Sequence, residues 1–130
     1  MAINSRRKGK VGENELARKL REFGFDVHRS QQYCGNTGEA ADLVGLPGVH
    51  IECKRVEQLN IDKAMEQAIN DAEQAGKHDM PAVFHRKNGK PWKVTILLPD
   101  FMKLISSRRE YYRLVEKLEM DELELDEVGE

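Results

Sequence analysis

The spacing of apolar and polar residues divides the chain into short elements with two different periods. A helix is expected where apolar residues recur every three or four positions, and a strand where they alternate. Asn60 and Gly76 fit the two ends of one helix, because asparagine caps helix N-termini and glycine commonly follows the last helical residue. The predicted elements are a helix at residues 10–23, strands at 25–30, 41–45 and 49–56, a helix at 61–75, strands at 82–86 and 92–97, and a helix at 99–118.

The order of these elements predicts an α/β fold, with a mixed central β-sheet flanked by helices on both faces. Pro47 and Gly48 form a short turn between two strands, so these strands are expected to pair as an antiparallel hairpin. The length of 130 residues suits one domain with a single core. The expected organisation is a domain at residues 1–118 that begins with a mobile basic arm at residues 1–9, followed by an acidic C-terminal tail at residues 119–130.

Composition narrows the class of protein. Hydrophobic residues make up 39% of the chain and charged residues 34%, which is polar for a folded domain but not typical of a disordered one. No apolar run approaches the roughly 20 residues that span a bilayer, and the first residues lack an apolar signal core, so we expect a cytoplasmic protein with no membrane partner. Cys34 and Cys53 have the spacing of neither a zinc site nor a disulfide framework, and reduced thiols are expected.

Charge is distributed unevenly along the chain. Residues 116–130 hold eight acidic residues and one basic residue, so the net charge of −2 conceals a basic body. A basic body suits a polyanionic partner, and Arg6, Lys8 and Lys10 fit contacts with phosphate groups. The acidic end is either a solvated appendage or a competitor for the same basic surface, and an imbalance that only aids solubility is the alternative interpretation.

The stretch HIECKRV at residues 50–56 places a carboxylate and an ammonium on one face of a predicted strand. Side chains alternate along a strand, so Glu52 and Lys54 share one face, about 7 Å apart at two residues of strand rise. Ile51 and Cys53 share the other face. One interpretation is a half-buried strand with a solvated charged face, and the other is a rigid pair of functional groups that faces a substrate.

Glu13 is the acidic residue of the first helix that the helical periodicity turns towards the protein. At about 100° per residue it lies about 20° from Leu20 and about 60° from Leu16. Glu15 falls about 140° from Leu20 and is expected to be solvated. An inward carboxylate needs a cation or a hydrogen-bond donor, unless it lies at the rim of the face and reaches water.

Asp42 lies on the hairpin partner of the strand that carries Glu52, so the two carboxylates can approach each other across the ladder. Two adjacent carboxylates repel unless a cation lies between them. Oxygen ligands of this kind suit Mg²⁺ or Mn²⁺. Lys54 on the same face could then orient or deprotonate a water molecule, or stabilise negative charge on a phosphate.

Five short motifs contain these residues. They are RKG at residues 7–9, GENELARKL at 12–20, GFDVHRS at 24–30, ADLV at 41–44 and IECK at 51–54. Together they resemble the PD-(D/E)xK nuclease superfamily, and within it the archaeal-type Holliday junction resolvases. The resemblance implies a restriction-endonuclease-like nuclease fold and a metal-dependent endonuclease, usually a homodimer, that makes paired cuts in four-way DNA junctions.

The resemblance also implies roles for individual residues. Asp42, Glu52 and the backbone carbonyl of Cys53 would ligate Mg²⁺, for which Mn²⁺ can substitute. Glu13 would be a further acid at the metal, and Lys54 would be the catalytic lysine. Arg29 and Ser30 would lie beside the scissile phosphate, and Arg7 would contact the DNA backbone. With the other N-terminal basic residues, the expected DNA-binding set is Arg6, Arg7, Lys8, Lys10, Arg29 and Ser30.

Three functions remain open at this point: a junction resolvase, a nuclease acting on flaps, ends or other branched DNA, and a non-catalytic DNA-binding accessory protein of recombination. The retained acids and lysine favour a nuclease, and the divergent C-terminal half favours a phage protein in its host's cytoplasm. Symmetric cleavage would need a homodimer, with the last helix or the apolar face of residues 61–72 as its interface. The four histidines are expected to be structural, and His50 is the hardest to dismiss because it alternates with Glu52.

Overall fold

The structure, a computed structural model, describes the backbone of residues 2–30 and 41–128, and the side chains of the same ranges apart from residues 2–6 and 8. Helices and strands alternate along the described chain. The elements are α1 (Ala2–Arg21), β1 (His28–Arg29), β2 (Leu43–Val44), β3 (Val49–Arg55), α2 (Ile61–Ala75), β4 (Met80–Arg86), β5 (Lys93–Thr95) and α3 (Leu98–Val128).

The strands form one mixed sheet in the order β1-β2-β3-β4-β5. β3 and β4 are parallel, and the other neighbouring pairs are antiparallel. α2 connects the two parallel strands, as parallel neighbours require a crossover. Leu43 pairs with Ile51, so the predicted hairpin between β2 and β3 forms. The α/β fold class with a mixed sheet is confirmed.

α1 and α2 bury separate apolar clusters against the sheet. Leu16 of α1 packs in a cluster that includes Ile51 and Phe84. Ala68 of α2 packs in a second cluster with Val83. Because Val83 and Phe84 are consecutive strand residues and point to opposite faces, the two helices cover opposite faces of the sheet.

α2 shows how local signals fix the ends of a helix. The side chain of Asn60 accepts a hydrogen bond from the Lys63 backbone N–H at 3.1 Å, which satisfies one of the free donors of the first turn. Gly76 follows the last residue with a left-handed φ of 68°. The predicted bounds of this helix are confirmed. Its apolar face is buried on the sheet, so the suggestion that residues 61–72 form a dimer interface is wrong.

The predicted ends of the first and last helices are wrong. α1 begins at Ala2 instead of residue 10, so the segment expected to be a mobile arm is helical from residue 2. Arginine and lysine are good helix formers, and they extend α1 towards the N-terminus. α3 continues to Val128, ten residues beyond its predicted end, through the acidic segment.

The chain divides into two compact units, Met1–Leu97 and Leu98–Glu130. The first contains the whole sheet with α1 and α2, and the second contains α3, none of whose described residues is buried. The division into a domain at residues 1–118 and a tail at residues 119–130 stays a prediction. Within the described ranges, no helix has the length and apolar character needed to cross a membrane.

Candidate active site

Glu52 lies at the centre of the candidate site, on the middle strand of the sheet. Glu52 is only 2% exposed, although its side chain ends in a carboxylate. Lys54 follows on the same strand face, and its Nζ lies 3.5 Å from Glu52 Oε1. Nζ also donates a hydrogen bond to Gln67 Oε1 of α2 at 3.2 Å, so this face of β3 is turned towards α2. Alternation along the strand therefore places the carboxylate and the ammonium together, as the sequence predicted.

Asp42, just before β2, is held by three hydrogen bonds, two to β3 and one to Ser30 just after β1. Its backbone N–H donates to the carbonyl of Ile51 at 2.9 Å, and its backbone carbonyl accepts from the N–H of Ser30 at 3.1 Å. Its carboxylate oxygen Oδ2 accepts from the backbone N–H of Cys53 at 2.8 Å. The carboxylate is therefore held beside the Glu52 strand by backbone geometry, which is a rigid way to position a ligand.

Glu13 reaches the site from α1. Arg29 Nε of β1 donates to Glu13 Oε2 at 2.6 Å, and the Glu13 side chain is 20% exposed. The negative charge of Glu13 is close enough to raise the pKa of Asp42. The inward orientation predicted for Glu13 is thus present, and Arg29 supplies the cation that an inward carboxylate needs.

Burial dominates the electrostatics of the two central carboxylates. It is the main cause that raises the pKa of Glu52 to about 8, and the charge of Asp42 adds to it while Lys54 opposes it. Burial also raises the pKa of Asp42, against the hydrogen bond from Cys53. Two carboxylates therefore face one ammonium in a poorly solvated site, and a bound cation would offset that imbalance.

Two residues of α2 that the sequence did not single out, Gln67 and Asp71, face this side of β3. Gln67 holds Lys54, and Asp71 lies one helical turn further along α2. One ligand atom each from His50, Glu52 and Asp71 lies within 4.8 Å of the others. Among the described residues this is the only such compact trio, so Glu13, Asp42 and Glu52 do not close to the same spacing. The sequence signal for Gln67 and Asp71 was their i, i+4 spacing, which places both side chains on one face of the predicted helix.

The expectation that Glu15 is solvated is wrong. Its carboxylate accepts a hydrogen bond from Arg55 Nε at 3.0 Å and a second from Arg86 Nη1. α1 approaches β3 closely here, because a Cβ at Gly12 would lie 2.9 Å from Arg55 Cβ. Arg55 therefore pairs with Glu15 on the α1 side of the sheet. It lies on the opposite face of β3 from Glu52 and Lys54.

Some of the predicted DNA-binding residues are exposed, and others already form hydrogen bonds within the protein. Arg7 and Lys10 are exposed on α1, whereas the side chains of Arg6 and Lys8 lie outside the described residues, as does Cys34. Arg29 is already paired with Glu13, and Ser30 Oγ donates to the backbone carbonyl of Ala41 at 2.5 Å. The Cys53 side chain packs against the α1-side cluster, and burial raises the pKa of its thiol.

Comparison with known proteins agrees with this geometry. A family model described as "Phage putative PDDEXK endonuclease" matches residues 4–128. The chain belongs to this endonuclease family. It is thus a nuclease of the PDDEXK type, and the resemblance carried by the five motifs is confirmed.

One solved structure shares the fold of this chain. It is Hjc from Archaeoglobus fulgidus, a Holliday junction resolvase from an archaeal hyperthermophile, with a TM-score of 0.51 and 21% sequence identity. The match covers 67% of this chain and 75% of that one. At this identity the likeness establishes the fold. A search of curated protein sequences gives no match.

Proposed function

We propose that this PDDEXK endonuclease is metal-dependent and structure-selective, and that it cleaves four-way (Holliday) DNA junctions by phosphodiester hydrolysis. The observation that carries the proposal is the buried Glu52 carboxylate, with Lys54 Nζ 3.5 Å away, beside an Asp42 carboxylate fixed by the backbone of Cys53. A role in DNA recombination or repair would follow. Such a substrate would place the protein in the cytoplasm, that of the host cell for a phage protein.

The donor set fits a hard divalent cation. Asp42 and Glu52 with the backbone carbonyl of Cys53 would hold Mg²⁺, or Mn²⁺ in its place, and Glu13 would add negative charge nearby. The raised pKa values of two carboxylates, the buried Glu52 and the half-buried Asp42, support this assignment, because such groups gain most from a cation. When bound, the ion would activate water and offset charge on the phosphate.

Lys54 would stabilise negative charge on the phosphate during cleavage. Its ammonium is anchored at two points, by Glu52 of the same strand and by Gln67 of α2. Glu52 is buried, whereas Gln67 is exposed on α2. The two contacts together limit the orientational freedom that the ammonium loses when substrate binds. Gln67 would act as a positioning residue for the lysine.

DNA would be bound through its phosphates, since a junction enzyme must accept many sequences. Arg7 and Lys10 offer exposed charge on α1, and Arg6, Lys8, Arg29 and Ser30 belong to the same proposed surface. A second basic surface supports the proposal. It is a cleft of about 780 Å³ between the start of α2 and the β4–β5 turn, and its lining includes Arg86, Lys87, Lys90 and Lys93 with one acidic residue, Glu57.

The enzyme would act as a homodimer joined through α3. Leu104, Tyr111, Leu118 and Leu125 recur every seven residues along this helix, and all are exposed. The first half of α3, residues 98–113, holds four basic and two acidic residues, whereas residues 114–128 hold seven acidic and one basic. An antiparallel pair of copies would place each basic half against the partner's acidic half.

One assay tests the proposed activity. The full chain is incubated with a synthetic four-way junction and Mg²⁺, in parallel with linear duplex, flap and single-stranded-end substrates. Paired nicks at symmetric positions in the junction are the expected result. Preferential cleavage of flaps or ends would support the alternative branched-DNA nuclease. Binding without cleavage of any substrate would indicate the non-catalytic accessory protein.

A further inference from the structure

The α2-facing side of β3 carries a second group of ligand atoms. His50, Glu52 and Lys54 share this strand face, while Gln67 and Asp71 are one turn apart on the facing helix. Lys54 and Gln67 contact each other at one end of the strip. His50 and Asp71 flank Glu52 at the other end, where their ligand atoms lie within 4.8 Å of the Glu52 carboxylate.

His50 is the residue of this group that most needs a partner. It is 3% exposed, and its Nε2 has no hydrogen-bond partner among the described residues. Buried polar atoms are almost always satisfied, and an exception requires a physical explanation such as an ion. The residue is therefore an unsatisfied imidazole next to two carboxylates, and it does not simply fill space in the core.

The spacing of the trio suits ligands around one ion. Metal–nitrogen and metal–oxygen bonds of about 2.1 Å place neighbouring ligand atoms about 3–4 Å apart. The ligand atoms of the trio lie within 4.8 Å of one another, so small side-chain movements would bring them to this spacing. No hydrogen bond joins His50 to Glu52 or Asp71 among the described residues, so these ligand atoms do not satisfy one another. One imidazole nitrogen with two carboxylate oxygens is a set that suits Zn²⁺ or Mn²⁺ better than Mg²⁺.

We propose that His50, Glu52 and Asp71 form a second divalent-cation site that prefers Zn²⁺ or Mn²⁺ to Mg²⁺. It is separate from the proposed Mg²⁺ site because His50 and Asp71 replace Asp42 and the Cys53 carbonyl. Glu52 belongs to both sites. An ion here joins β3 to α2 and fixes the Glu52 carboxylate from the α2 side.

Metal binding by the full chain tests the proposal without reference to cleavage. The protein is stripped of metal with a chelator, and Zn²⁺, Mn²⁺ and Mg²⁺ are titrated by calorimetry, with thermal unfolding in parallel. The wild type should bind Zn²⁺ or Mn²⁺ at least tenfold more tightly than Mg²⁺. His50→Leu and Asp71→Asn should each weaken the tight binding at least tenfold, with a matching loss of the metal-induced rise in Tm.

Two further variants make the outcome specific. Glu66→Gln removes an exposed carboxylate of the same helix and should leave Zn²⁺ binding within about twofold of the wild type. Asp42→Asn should keep the tight site while cleavage is lost, so failure of this proposal can be told from failure of the proposed function. If His50→Leu does not fold, Asp71→Asn decides alone. Unchanged Zn²⁺ and Mn²⁺ affinity in Asp71→Asn, or no tight binding in the wild type, would overturn the proposal.

Discussion

The backbone N–H of Cys53 donates a hydrogen bond to Asp42 Oδ2 at 2.8 Å, and this bond fixes the Asp42 carboxylate against the strand that carries Glu52. An amide oxygen can accept the same bond, whereas it cannot supply the negative charge. The substitution Asp42→Asn therefore separates the position of the group from its charge.

We expect Asp42→Asn to lower junction cleavage by about 100-fold or more while the fold and junction affinity change little. The measurement is single-turnover cleavage of a labelled four-way junction, with binding followed by gel shift in Ca²⁺ or chelator. Glu66→Gln is the matched control, since it also exchanges a carboxylate for an amide but on an exposed surface. Cleavage within threefold of the wild type in Asp42→Asn would contradict the proposed metal site.

Glu52 should make the metal-free protein less stable at high pH. Its pKa is about 8 in the folded protein against an ordinary value of 4.5. Because the folded-state pKa is the higher one, the contribution of the protonated carboxyl is complete below pH 4.5 and is lost as pH rises through about 8. Glu52→Gln removes this dependence, so its free energy of unfolding relative to the wild type should increase with pH.

The gain in Glu52→Gln should reach at most on the order of 5 kcal/mol at pH 9 and be small at pH 5, because the pKa rises from 4.5 to about 8 and each pKa unit corresponds to about 1.4 kcal/mol. Urea unfolding at both pH values, with a chelator present, measures it. Glu66→Gln should show no such trend. A difference that stays constant or shrinks between pH 5 and pH 9 would show that Glu52 does not titrate as a buried carboxyl.

Glu15 should contribute to stability more than an exposed helix carboxylate does. Its side chain is 28% exposed and bonds two arginines, Arg55 and Arg86, of two different strands. Removing its charge leaves both guanidinium groups without their shared partner. We expect Glu15→Gln to lower the free energy of unfolding by about 1–2 kcal/mol, allowing for partial solvent screening.

The control for Glu15 is Glu22→Gln, which removes a carboxylate from an exposed contact with Lys19 just after α1. Surface pairs of this kind contribute about 0–1 kcal/mol, so the control should change stability little. Urea unfolding at neutral pH compares the two variants. Equal effects of the two substitutions would indicate that the Glu15 cluster does not join α1 to the sheet.

The comparison of Glu15 with α2 shows what a single sequence can predict here. Asn60 and Gly76 act within their own helix, so the bounds of α2 could be predicted from local chemistry. The partners of Glu15 are 40 and 71 residues away along the chain, and a helical wheel contains no information about them. The Glu52–Lys54 pair could be predicted because strand alternation is local. Asp71 could not, because its role depends on how α2 lies over β3.

The remaining prediction concerns α3. If two copies pair in antiparallel fashion, the basic half of each α3 faces the acidic half of its partner. Reversing the charge of the basic half should therefore make the two halves repel each other. The triple variant Arg108→Glu, Arg109→Glu, Arg113→Glu is therefore expected to shift the protein from dimer to monomer, by at least about tenfold in dissociation constant. Sedimentation measures the oligomeric state, and the wild-type dimer should weaken as salt increases because exposed charges are screened.

A charge-matched rescue makes this test specific to pairing between copies. The fivefold variant Glu116→Arg, Glu119→Arg, Asp121→Arg, Glu122→Arg, Glu124→Arg reverses the charge of the acidic half and should also be monomeric alone. An equimolar mixture of this variant and the triple variant should form a heterodimer. Neither variant changes a residue of the candidate active site, so metal binding should persist in both. A wild type that sediments as a monomer, or a basic-half variant that remains a dimer, would remove α3 as the interface.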